Sequence, residues 1–191
     1  MISVDQTDLA NGIVSVVGNS GIDTLAAAGS SLDLRTTTLS GIEVLKAGSS
    51  DDTTFTVDQT DLAANGSVVG DVGTDTLIIN GTSLNLGTTT LSGVEILKAG
   101  MNAATTFTVD QSDLATNGSV VGSIGIDTLV AAGTMLGLSA TALTSVEILK
   151  AGTTSATTFI VDQADLATGG SVIGTGQIDT LIAAGASLSL T

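Results

Sequence analysis

The sequence predicts an all-β chain: a parallel β-solenoid, β-helix-like or β-roll-like, built from 52-residue repeats. Three observations carry the prediction. First, TTFTVDQTDLAANGSVVGDVGTDTLIING (53–81) recurs as TTFTVDQSDLATNGSVVGSIGIDTLVAAG (105–133) and again as TTFIVDQADLATGGSVIGTGQIDTLIAAG (157–185). Periods of this size are the signature of stacked architectures. Second, hydrophobic residues make up 42% of the 191, yet there are three Phe, no Trp and no Tyr. The apolar material is Ala, Val, Ile and Leu among many Gly and Thr, which suits thin β-layers rather than a thick aromatic core. Third, no stretch of 10–12 residues carries a helical period, whereas β-type runs of three to five residues alternate with Gly, Asn and Ser punctuation.

Asp58, Asp110 and Asp162 fix the period, as do Asp23, Asp75, Asp127 and Asp179, and repeat one carries a single extra residue near Gly12. The single array divides into repeats at 2–55, 56–107, 108–159 and a shorter 160–191. A chain that stops within a repeat reads as a piece of a longer array.

Within repeat two, TFTV (54–57) puts Phe55 and Val57 on one face and Thr54 and Thr56 on the other. SVVG, DTLII, LNL, TTL and VEIL follow as further short strands, six in all. They fit two three-strand coils of about 26 residues per repeat, or three two-strand coils of about 17. The two-coil version would stack DTLII on VEILK and TFTV on LNL. Phe55, Phe107 and Phe159 hold one repeat position and read as core markers, not a stacking platform for sugars or bases.

Charge excludes several function classes. Nineteen acidic residues against four basic ones give a net charge of −15, which repels nucleic acid and anionic membranes. There is no Cys for disulfides or thiolate metal sites, and no apolar run near the ~18 residues of a membrane helix, so no membrane insertion is expected. MISVDQ lacks the basic and apolar regions of an N-terminal secretion signal. With no His, one Arg and every repeat alike, no nucleophile–base pair emerges, and a non-enzyme is expected.

Two carboxylate series are the candidate sites, and calcium is the one cofactor they suggest. Asp23, Asp75 and Asp127 stand in Gly-x-x-Gly-x-Asp-Thr-Leu, whereas Asp179 follows Gly176-Gln177-Ile178. The plain expectation is a turn in which Asp caps backbone N–H groups before the strand. The alternative is a calcium loop, but one copy per 52 residues leaves equivalent loops about 10–14 Å apart, too far to share an ion. Asp58/Asp61 and Asp110/Asp113, in VDQ-x-DLA, are either a cation pair or a short helical turn. In that turn Asp58 is the N-cap, Asp61 lies in the first turn, and Asn65-Gly66 ends it.

Glu43, Glu95 and Glu147 travel with Lys46, Lys98 and Lys150, so an ion pair is expected. The two-coil arrangement places Glu95 near Asp75, with Lys98 as its counter-ion. The Thr-rich strands invite comparison with ice-binding solenoids, which need a flat Thr array on every coil. Here the motif comes once per repeat.

Gly-x-x-Gly-x-Asp-Thr-Leu, followed by SLDL (31–34) and LSGIEVL (39–45), resembles repeats of large bacterial surface proteins of the RTX (haemolysin-type calcium-binding) kind. The resemblance implies type I secretion, a cell-surface or extracellular location, and adhesion, biofilm or surface-layer roles. The tandem nine-residue calcium run of that family is missing here. The expected function is a non-catalytic rod, spacer or assembly scaffold of an adhesin, requiring no cofactor. A β-roll folded by extracellular calcium is the alternative, with ice binding and a carbohydrate-active β-helix more remote. The expected partners are a second copy, end to end through exposed coil faces, and a surface glycan or cell-surface molecule.

Overall fold

The computed structural model describes residues 1–190, and they form a parallel β-solenoid of about 8 turns with little helix. Repeat two shows how it is built. Its strands are Thr54–Val57, Ser67–Val69, Thr76–Ile79, Ser83–Asn85, Thr90–Ser92 and Ile96–Ala99. Between the first two lies one turn of 3-10 helix, Gln59–Asp61. The repeat therefore has seven sides: the six expected strands and a helical turn that stands in for a seventh.

Pairing is parallel throughout, and the registers define the coil. Ser31 pairs with Thr54, Thr54 with Thr76, Thr76 with Ile96, and Ile96 with Ser119. The steps are 23, 22, 20 and 23 residues, so one coil takes about 22. Each step passes three elements, which makes the coil three-sided. One face runs Gln6–Ala10, Ser31–Asp33, Thr54–Val57, Thr76–Ile79, Ile96–Ala99, Gly118–Val121, Thr141–Thr144 and Gln163–Asp165. The other two faces follow the same order of element types.

Seven sides on a three-sided prism amount to two and one third coils per repeat. Neither coil of 26 residues nor coil of 17 is present; the real coil lies between them. The side made by Gln59–Asp61 is not a β-type run, so a count of strands omits it. Because the remainder is one third of a coil, each repeat starts one face further round than its predecessor. Equivalent residues of successive repeats are thus turned by about 120° and raised by about 11 Å, taking a coil spacing of about 4.8 Å.

The expected partners within a coil stack are present. Leu77 of TLII lies beside Leu97 of VEIL, and Phe107 of TFTV beside Leu84 of SLN. Alternation sends Leu32, Phe55, Leu77, Leu97, Val120 and Leu143 inward as one column on a single face. Phe55, Phe107 and Phe159 are buried, one on each face, each between two leucines. Burying such a column yields about 25 cal/mol per Å² of apolar surface, but only once neighbouring coils are in place.

The helical turn interrupts each face's ladder, and a glutamine repairs it. Gln59 Oε1 accepts from Asn85 N–H at 2.6 Å while its Nε2 donates to Asn85 O at 3.1 Å, the pattern of a strand neighbour. Gln111 makes both bonds to Gly137 in the same way, and Gln6 and Gln163 accept through Oε1 from Asp33 and Ser189 N–H.

Candidate functional site

The Gly-x-x-Gly-x-Asp loop is a corner between two faces. Its first glycine is dictated by close approach: a Cβ on Gly70 would lie 1.8 Å from the carbonyl oxygen of Gly93 in the next coil. The facing corner needs the left-handed backbone, with Gly93 at φ 63° and, in repeat three, Ser145 at φ 52°. These two corners nest, and Gly70 N–H donates to Ser92 O at 2.8 Å.

Asp75 occupies this nest with no exposed surface and joins three coils. Its Oδ1 accepts from Thr53 N–H at 2.7 Å, 22 residues back, and its Oδ2 accepts from Asp71 N–H at 2.7 Å. Its own N–H donates to Glu95 Oε2 at 2.8 Å, 20 residues ahead, and its carbonyl accepts from Glu95 N–H at 3.0 Å and Ile96 N–H at 3.1 Å. Asp127 repeats the set with Thr105, Ser123 and Glu147. Asp23 holds Asn19 N–H and donates to Glu43; Asp179 holds Thr157 and Thr175. The N–H donors of Thr175 and then Thr157 keep the Asp179 carboxyl below the usual carboxylate range. This is the capping role expected of the series, extended across coils.

The second series also caps. Asp58 Oδ1 accepts from Thr60 N–H at 2.7 Å, and Asp61 Oδ2 accepts from Asp58 N–H at 2.8 Å, a reciprocal capping box. Asp110 and Asp113 form the same box. The turn ends sooner than expected, with Leu62 as C-cap, and Asn65 follows in the left-handed region at φ 61°. Burial raises Asp61, Asp113 and Asp165 to about 6, against the opposing pull of the N–H donors from Asp58, Asp110 and Asp162.

Among the described residues the expected Glu–Lys ion pair does not form. Lys46, Lys98 and Lys150 point outward from their strands into solvent, while Glu43, Glu95 and Glu147 turn at the corner onto backbone N–H groups. Among the described residues the one ion pair is Arg35 with Asp33, and the guanidinium holds that carboxyl below its ordinary range.

Calcium fits this donor set poorly. A hard cation asks for six to eight oxygens with free lone pairs facing it. Both oxygens of Asp75 and of Asp127 face N–H hydrogens instead. Among the described residues, no group of three or more Asp and Glu is placed to hold an ion, and equivalent aspartates sit on different corners. Outward-facing Thr54 and Thr56 are flanked on their face by Ser31 and Asp33 on one side and by Thr76 and Ile78 on the other. The outer surface is thus mixed rather than a flat threonine array.

Two features escaped the sequence reading. The Gln59 series repeats in every VDQ, and that recurrence was the available signal. The corner tips carry exposed apolar residues: Ile22, Val72, Ile124 with Ile126, and Ile178. No protein family, curated protein or solved structure matches the chain.

Proposed function

We propose that this chain is a non-catalytic structural module, a rod that spaces or assembles parts of an extracellular bacterial surface protein or adhesin. The observation that carries the reading is the Asp75–Glu95 bracket. Of the acidic residues that would be candidates for chemistry, the Asp75 series ties neighbouring coils and the Asp58 series caps its own turn, repeat after repeat. About 8 coils give a rod of about 40 Å, lengthened in fixed steps by each repeat. The surface location rests on the sequence resemblance to RTX-type repeats.

End-to-end association with a second copy belongs to the same proposal. Leu149, Phe159, Leu166, Val172 and Leu181 line a cavity of about 570 Å³ at the open face of the last coils. Val172 and Leu181 are half-buried there, whereas the equivalent Val120 and Leu129 in the body of the rod are fully covered by the next coil. A stacked copy, or further coils of a longer array, would bury that surface.

The test is circular dichroism and small-angle scattering in EDTA, then with calcium restored. The reading expects an unchanged β signal and an unchanged rod in both. Collapse in EDTA with recovery in calcium would replace it with the calcium β-roll, and turnover of a glycan would replace it with an enzyme.

A further inference from the structure

The chain contains four Asn-Gly pairs: Asn11-Gly12, Asn65-Gly66, Asn80-Gly81 and Asn117-Gly118. In three of them the glycine N–H is engaged in a turn. Gly12 donates to Leu9 O at 3.2 Å, Gly66 to Ala63 O at 2.9 Å and Gly118 to Ala115 O at 3.0 Å. Asn65 and Asn117 are moreover held in the left-handed region, with φ of 61° and 62°.

Asn80-Gly81 differs on each count. It follows the strand Thr76–Ile79 at a corner where Asn80 N–H donates to Val57 O at 2.7 Å. The same corner is built by Ala28-Gly29, Ala132-Gly133 and Ala184-Gly185, with Ala28, Ala132 and Ala184 making the equivalent bond. The turn therefore does not need an amide side chain at this position. Among the described residues, neither the Asn80 side chain nor the Gly81 N–H has a hydrogen-bond partner. A Cβ built on Gly81 meets nothing within 4 Å, so the approach to its nitrogen is open.

We infer that Asn80 is a site of spontaneous covalent modification: cyclisation on Gly81 followed by conversion to aspartate or isoaspartate. Base removes the Gly81 amide proton, and the nitrogen attacks Asn80 Cγ. The new N–Cγ bond forms as the Cγ–Nδ2 bond breaks, and the amide nitrogen leaves as ammonia with a proton from solvent. Water then opens the succinimide at either carbonyl. The sum is one water taken up and one ammonia lost, with no oxidant, reductant or cofactor. Holding the other three glycine nitrogens in turn hydrogen bonds removes them from attack geometry, a restraint worth a hundredfold or so in comparable reactions. The product places one more negative charge at the corner leading into Ser83–Asn85 and, as isoaspartate, lengthens the backbone there.

The test is peptide mapping by mass spectrometry after incubating the folded chain at mildly alkaline pH, alongside the same chain in concentrated urea. The Asn80 peptide should gain about 1 Da at least about tenfold faster than the Asn11, Asn65 and Asn117 peptides in the folded chain. In urea the four rates should converge. Gly81→Ala, which the open space accommodates, should leave the melting curve in place and slow the reaction by shielding the nitrogen. Equal rates at all four sites in the folded chain, the same ranking in urea, or no slowing in Gly81→Ala would each overturn the inference.

Discussion

Asp75 and Glu95, 20 residues apart in sequence, are joined by two hydrogen bonds, from Asp75 N–H to the Glu95 carboxylate and from Glu95 N–H to the Asp75 carbonyl, which also accepts from Ile96 N–H. With Thr53 N–H on Asp75 Oδ1, the corner ties three successive coils through one residue. An acidic side chain with no exposed surface is tolerable here because N–H donors face both of its oxygens.

Asp75→Asn tests that arrangement. An amide has one acceptor, so its NH₂ must face the N–H of either Thr53 or Asp71, leaving a buried donor unpaired. The expected loss is about 2–4 kcal/mol, read as a lower urea midpoint, and Asp127→Asn should match it. Adding calcium should shift neither the wild-type nor the variant midpoint; a calcium-dependent rise in the wild type alone would assign the carboxylate to an ion.

Stability should increase as the solution is made mildly acidic. Asp61, Asp113 and Asp165 have folded-state values of about 6, raised from an unfolded value of about 3.9. Between those values the folded chain binds more protons than the unfolded one. The contribution is thus full below about pH 4 and lost as pH rises through 6. Melting curves should move up between pH 7.5 and pH 5, by on the order of 1 kcal/mol per group after solvent screening. Asp61→Asn together with Asp113→Asn should flatten the profile; a wild-type maximum above pH 7 would contradict the assignment.

Ser145 stands where Gly41 and Gly93 stand in the other repeats, and all three have φ between 52° and 64°. A side chain in that region costs about 1–2 kcal/mol, of which glycine's larger unfolded-state entropy returns part. Ser145→Gly should therefore raise the urea midpoint by an amount equivalent to about 0.5–1 kcal/mol. Gly93→Ser should lower it by more, because a Cβ there meets Gly70 and Asp71 backbone atoms at 3.2–3.3 Å.

Alternation in TFTV, the Gly corners, and the pairings of TLII with VEIL and TFTV with SLN were all legible because each depends on side-chain period and type. The coil length was not. It depends on Gln59 and the 3-10 turn acting as a side, which no count of β-type runs includes. The Glu95–Lys98 pairing misled for a related reason: three positions apart suggests neighbours, but Glu95 lies at the bend while Lys98 stands out from the strand. The Asp75 role was largely visible: capping within its own turn is local, and stacking TLII on VEIL places Glu95 beside Asp75, whereas the Thr53 contact comes from another coil and had no sequence signal.

The seven-sided repeat makes a prediction about deletions that chain length alone would reverse. Removing residues 56–107 joins Phe55 to Thr108, where Thr56 stood, and keeps every stacking relationship by type. TFTV still follows SLD on its face, the glutamine still bridges to the next strand, and Asp127 takes over the Asp75 corner. The product should fold cooperatively as a rod shorter by about 11 Å, with the downstream part turned by about 120°. Removing only residues 54–75 takes out one whole coil and also keeps three sides per turn. It nevertheless sets Ser31–Asp33 against Thr76–Ile79, and deletes Phe55, Gln59 and Asp75 together. That smaller deletion should cost more stability than the larger one in urea denaturation, and scattering should show the ordered rod only for the 52-residue cut. A whole-number coil would predict equal tolerance of any cut that preserves the coil, so the two deletions separate the geometries directly.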